Sequence, residues 1–259
     1  MKILVKILSL LLLALVLVLP SFTEKKTSGM LCSGINVVIT DSTDYQFVTR
    51  NDVLSLLNSR SDSVLGRKIE DISVEKLEKK ISGLSEVKSA EAYFDINGTL
   101  NVLVNQRIPI MRIQPDNGGV YLMDRDGVVF KKTSQYVPRL HFVGGNISIK
   151  PKMLEGISVL DSAMGNTILR DVYDIVNYVN NDKFWSAQID QIYVTGQNKI
   201  ELVPRMGNHV VKIGTSENFE KKMHNLELFY SQVMPNVGWD KYSEINLEYE
   251  GQVVCKRRE

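Results

Sequence analysis

The side chains best suited to metal or acid–base chemistry are three histidines, His141, His209 and His224. They lie far apart in sequence, and none belongs to a His-Glu-x-x-His pair, whose spacing puts two imidazoles on one helix face. Singly, they read as scattered surface or core residues. The run Met123-Asp124-Arg125-Asp126-Gly127 begins like a calcium loop but lacks a third ligand before the glycine and a downstream glutamate. Its carboxylates therefore read as turn formers. Neither a nucleophile elbow nor a phosphate loop occurs, and the pair Gly144-Gly145 reads as a turn. Two cysteines, Cys32 and Cys255, are too few for a disulfide framework and read as small buried thiols. Asn97-Gly98-Thr99 and Asn146-Ile147-Ser148 fit the glycosylation pattern, which short matches often do by chance. Trp185 and Trp239 stand as single aromatics without a stacking array. The sequence offers no catalytic residue, metal site or cofactor site.

A different chemistry, that of the main chain, is on offer at the carboxyl end. In "YSEINLEYEGQVVCKRRE", Ile245, Leu247, Tyr249, Val253 and Cys255 share one parity. Asn246, Glu248, Glu250 and Gln252 share the other. A period of two describes a half-buried strand, here running almost to the last residue and ending in a basic tail. With no hairpin partner after it, such a strand lies at a sheet edge with unpaired N–H and C=O groups, which proteins usually blunt. Alternation alone does not say whether its apolar face meets the protein's own core or a partner.

The elements that must position this ribbon form two units. A polar linker, 21–34, precedes the first, 35–113. There "GINVVITD" is a strand, Thr49 and Asp52 form a capping box, and Val53, Leu56 and Leu57 follow at helical spacing. Ser73 caps a second helix with a Leu77, Ile81, Leu84 stripe. In "AEAYFDINGTLNVLV", Ala90, Ala92, Phe94 and Ile96 alternate into Asn97-Gly98, the signature of a type I′ turn, and Leu100, Val102 and Val104 return. The second unit, 114–255, holds a hairpin around Asp126-Gly127, a strand at "RLHFVGG" and a helical region from Pro151. Strands at "QIDQIYV", "KIELVP" and "HVVKIGT" follow, then a helix bearing Phe219, Met223, Leu226, Tyr230 and Val233, and the terminal ribbon. The tail is 256–259. The fold class is α+β, with a β-α-α-β-β module followed by a mixed domain whose sheet is largely antiparallel.

The chain has 259 residues, 44% of them hydrophobic and 24% charged, which suits globular units. A net charge of +1 gives no support to nucleic-acid binding. "MKILVKILSLLLLALVLVLP" is the exception: a helix over 3–20 reaches about 27 Å, close to the bilayer's apolar core, with Lys2 and Lys6 able to extend to the interface. A cleaved signal peptide has a similar start, but "VLVLPSFTEKK" has no small-residue cleavage site, so an uncleaved signal anchor is favoured. With residues 1–6 as a cytoplasmic stub, the body is expected outside the cytoplasm.

The order of these parts resembles the bacterial cell-division family FtsQ/DivIB, whose first extracytoplasmic module is the polypeptide-transport-associated (POTRA) domain. The landmarks are "LSEVKSAEAYFDINGTLNVLVNQRIPI", "YLMDRDGVVF", "VVKIGTSENFEKKMHNLELFY" and "WDKYSEINLEYEGQVV". The resemblance implies a non-enzymatic, single-pass scaffold of the inner membrane, enriched at the septum. It implies recruitment of FtsB/DivIC-like and FtsL-like partners, help in regulating septal peptidoglycan synthesis, and no small-molecule substrate. A partner segment would add to the terminal ribbon as one more strand, which makes Ile245, Leu247, Tyr249, Gly251, Gln252, Val253, Val254 and Lys256 the candidate binding residues. The family often carries an acidic residue and an arginine before the tyrosine, whereas here those places hold Asn246 and Glu248. Main-chain pairing tolerates that change, but relatives' salt bridges do not carry over. The POTRA-like unit would guide placement at the division site. Two alternatives are a POTRA-containing envelope assembly or transport subunit and a signal-peptide-cleaved periplasmic enzyme. The first needs many amphipathic strands after the module, for which too little chain remains.

Overall fold

A computed structural model describes residues 29–40, 46–59, 63–136 and 138–259. The membrane span expected over 3–20 lies outside the described residues, and no helix among them is long and apolar enough to cross a bilayer. The chain divides into two compact units, Met1–Gln106 and Arg107–Glu259.

In the first unit, β1 (Gly34–Thr40), α1 (Arg50–Leu57), α2 (Val74–Ser82), β2 (Val87–Phe94) and β3 (Thr99–Gln106) follow in that order. The sheet order is β1-β3-β2, with β3 central, parallel to β1 and antiparallel to β2. Strict alternation along β3 buries Leu100, Val102 and Val104. Both helix caps form as the sequence indicates: Thr49 and Asp52 make a reciprocal capping box, and the Ser73 hydroxyl accepts from Lys76 N–H. Buried Gln106 closes the unit, its Oε1 accepting from the N–H groups of Phe47 and Val48 at 3.0 Å each.

Three expectations for this unit change. The segment 30–34 is packed rather than linker, since Cys32 is buried and its N–H donates to Arg67 O. The β2–β3 turn is not type I′: Gly98 alone takes a positive φ, +82°. Gly98 N–H donates to Asp95 O, and the Asp95 carboxylate accepts from Asn97 and Thr99 N–H. The longer turn carries Ile96 out of the strand and leaves it 89% exposed. Finally, 107–113 belongs to the second unit, because β4 (Pro109–Pro115) is a strand of the other sheet.

That sheet has nine strands, completed by β5 (Tyr121–Asp124), β6 (Val129–Lys131), β7 (His141–Gly145), β8 (Ile189–Val194), β9 (Ile200–Pro204), β10 (Val210–Gly214), β11 (Tyr242–Asn246) and β12 (Val254–Arg257). Their order is β12-β11-β10-β9-β8-β7-β4-β5-β6. The sheet is more mixed than expected, since β4–β7, β7–β8 and β10–β11 are parallel pairs. Parallel neighbours need a crossover. The helices α3 (Pro151–Leu154), α4 (Ile168–Asn181) and α5 (Lys183–Gln188) lie between β7 and β8. α6 (Phe219–Gln232) and α7 (Met234–Val237) lie between β10 and β11.

The crossover helices cover one face of the sheet. Leu169, Val172, Val176 and Val179 of α4 and Met223, Leu226 and Tyr230 of α6 share one core with Ile192, Leu202, Val211 and Ile245. Burying each large aliphatic chain contributes about 1.5–3 kcal/mol. Tyr178 of α4 meets Phe219 of α6 edge-on, with ring centroids 5.3 Å apart. The two tryptophans are not solitary, for Trp185 and Trp239 both pack on Tyr230, at 6.1 and 5.1 Å between centroids. Asp124 is buried and holds the β5–β6 turn. Its Oδ1 accepts from Asp126 and Val128 N–H, and its Oδ2 pairs with Arg107 Nη1 at 2.7 Å.

Candidate partner-binding edge

The terminal ribbon is a hairpin, not one strand. β11 lies parallel to β10 on one side and antiparallel to β12 on the other, and 247–253 connects them. Ile245 and Leu247 are buried, and Val253 and Cys255 pack half-buried on the same core. The alternation read from the sequence survives because both strands of a hairpin show one face to the core. Tyr249 departs from it, being in the connection and 57% exposed. Gly251 occupies the turn, and Gln252 N–H donates to Tyr249 O at 3.2 Å, so that group is already used. Val254 and Lys256 are exposed and sit in β12, as does Arg257, so the basic tail is shorter than expected.

Register decides which main-chain groups are free. Leu247 N–H donates to Lys212 O, so Ile245 and Leu247 direct their main chain to β10. Glu244 and Asn246 then face β12, opposite Lys256 and Val254. Arg258 N–H donates to Lys241 O, in phase with those two. By the alternation of an antiparallel ladder, Val253, Cys255 and Arg257 turn their N–H and C=O groups outward. No strand lies beyond β12 among the described residues. At the opposite edge, the start of β6 is met by 158–159: Val128 bridges to Ser158 and Val159 N–H donates to Gly127 O. The outward residues Cys255 and Arg257 were not among those singled out from the sequence. Their signal is the hairpin register, which needs the pairing of β11 to be known.

The connection is held from both sides. Asn246 Oδ1 accepts from Glu248 N–H at 2.8 Å, and Glu248 Oε1 takes Lys199 Nζ at 2.6 Å. That ammonium holds the Glu248 carboxyl below the usual carboxylate range. Lys221 pairs with Glu250 at 3.3 Å. The two positions where the sequence departs from the family pattern thus serve the hairpin itself. A polar cleft of about 230 Å³, lined by Thr215, Asn218, Lys221, Asn225 and Tyr249, opens beside the connection.

Below the start of β11, buried His209 has Nε2 2.7 Å from Tyr230 Oη. Burial lowers its pKa from 6.5 and keeps the ring neutral. An unfolded His209 takes up a proton near that value while the folded one resists. Its contribution is therefore complete above 6.5 and is lost as pH falls through 6.5 towards the depressed folded value. Partly buried His141 shifts the same way, chiefly by desolvation. Melting temperatures of the second unit are expected to fall between pH 7 and 5, and less steeply in His209→Gln; equal slopes would contradict this account. The third histidine, His224, is exposed beside Glu227. No three metal-ligating side chains converge among the described residues.

These observations define a class: a POTRA-like β-α-α-β-β unit joined to an α+β unit that ends in an unpaired edge strand. Residues 108–256 match the family model described as FtsQ/DivIB, C-terminal related, and 30–105 match that of a POTRA-like domain. The chain belongs to the FtsQ/DivIB family. No curated protein sequence matches it.

Proposed function

We propose that this protein is a non-enzymatic scaffold of bacterial cell division that captures an FtsB/DivIC-like partner, and through it an FtsL-like one, by strand addition to β12. The observation that carries the reading is the outward phase of Val253, Cys255 and Arg257 on the last strand of the sheet, in a chain of this family. Main-chain bonds to those groups supply affinity, and the side chains on either face of the added strand supply specificity. An anchor over 3–20 would hold both units on the outer side of the inner membrane. The POTRA-like unit would place the protein at the septum, and the captured partners would couple it to peptidoglycan synthesis.

Depletion of the protein is expected to give filamentous cells, with a fluorescent fusion concentrated at midcell. Cells of normal length after depletion would refute the division reading.

A further inference from the structure

The face of the second sheet away from the helices carries a row of alternating charge. Glu201 of β9 is in register with Lys212 of β10, and Lys212 Nζ lies 2.8 Å from Glu244 Oε2 on β11. Glu244 is in turn in register with Lys256 on β12. From centre to edge the row reads negative, positive, negative, positive, and the next place is vacant. Glu244 gives its carboxylate to Lys212, and Lys256 makes no ion pair among the described residues.

Resting on the strand-addition reading above, we propose that the captured strand carries a glutamate or aspartate in register with Lys256, which selects the partner and fixes its register. The backbone phase favours this position. Lys256 turns its main chain inward, so on an antiparallel newcomer it falls in a non-hydrogen-bonded pair, where Cα atoms approach to about 4.5 Å and side chains are closest. Opposite charges there stabilise pairing, and like charges oppose it. A second copy of this chain does not meet the requirement: β12 is Val254-Cys255-Lys256-Arg257 and contains no carboxylate, while Glu259 beyond it has the parity of Cys255 and Arg257 and not that of Lys256. The same cations therefore discourage edge-to-edge self-association.

The test uses the full chain in detergent with the full-length FtsB/DivIC-like protein of the same cell. Lys256→Glu is expected to weaken binding about tenfold, the swing from an attractive to a repulsive cross-strand pair. Replacing the partner's acidic residues by lysine, one at a time, should restore binding to Lys256→Glu at one position alone. Lys256→Met should flatten the salt dependence of binding, and matching melting temperatures would exclude a folding defect. Undiminished binding by Lys256→Glu, while Cys255→Pro weakens it about thirtyfold, would overturn the charge selection and leave Lys256 as edge protection. Undiminished binding by both variants would overturn strand addition itself, and this inference with it. Dimers of the chain that Cys255→Pro dissociates would also overturn it.

Discussion

Cys255→Pro is expected to weaken partner capture sharply while leaving the second unit folded. Proline has no N–H, and at 255 the missing group is one that points away from β11, so no internal ladder bond is lost. The ring also obstructs a newcomer at that point. Loss of one main-chain bond and disturbance of its neighbour costs about 2 kcal/mol, roughly thirtyfold in Kd. Cys255→Ala controls for the half-buried thiol and should bind normally. Val254→Pro, one residue away, is expected to behave differently, because its N–H faces Asn246 and its loss unzips the hairpin. Gln252→Pro likewise breaks the turn bond to Tyr249 rather than an edge group. Binding measured by calorimetry alongside thermal melting separates the outcomes. Equal loss of binding and stability in Cys255→Pro and Val254→Pro would contradict the assigned phase.

The largest expected stability effect lies elsewhere, at Gly145→Ala. Gly145 ends β7 with φ +107°, and a Cβ there would stand 2.1 Å from Val194 O and 2.9 Å from Val194 N. Both are main-chain atoms of the adjoining strand β8, so relief requires the sheet to separate at its centre. Asn146 N–H also donates to Val194 O at 2.8 Å. An unfavourable φ added to a clash with backbone costs about 3 kcal/mol or more. For a unit of this size that lowers Tm by about 10 °C. Gly144→Ala is crowded by the Phe142 ring, at 2.8 Å, while Gln114 O stands at an ordinary 3.7 Å; a side chain can yield, so its cost should be clearly smaller. Similar melting temperatures for the two variants would refute the argument.

This pair also shows where sequence reasoning stops. Gly144-Gly145 close the strand read at "RLHFVGG" and also read as a turn, because glycine pairs usually punctuate elements. The structure places both in a central strand, and the reason is a neighbour, Val194, nearly fifty residues away. The terminal ribbon teaches the same lesson in reverse. Its alternation was correct residue by residue for Ile245, Leu247, Val253 and Cys255, yet it did not reveal the reversal between them. A period of two records which face is apolar and carries no information on chain direction.

What the sequence determined by itself was local or periodic: the caps at Thr49 and Ser73, the buried stripe of α6, the order of elements, and the apolar face of the last strands. Each depends on residues within a turn or two of one another, where propensity and spacing act directly. The tertiary structure alone decided the parallel crossovers, the pairing of β11 with both β10 and β12, and the charge row from Glu201 to Lys256. It thereby decided that Cys255 and Arg257, rather than Gln252, present free main chain. Those features depend on register between distant segments, and register is set by the packing of the whole core against one sheet.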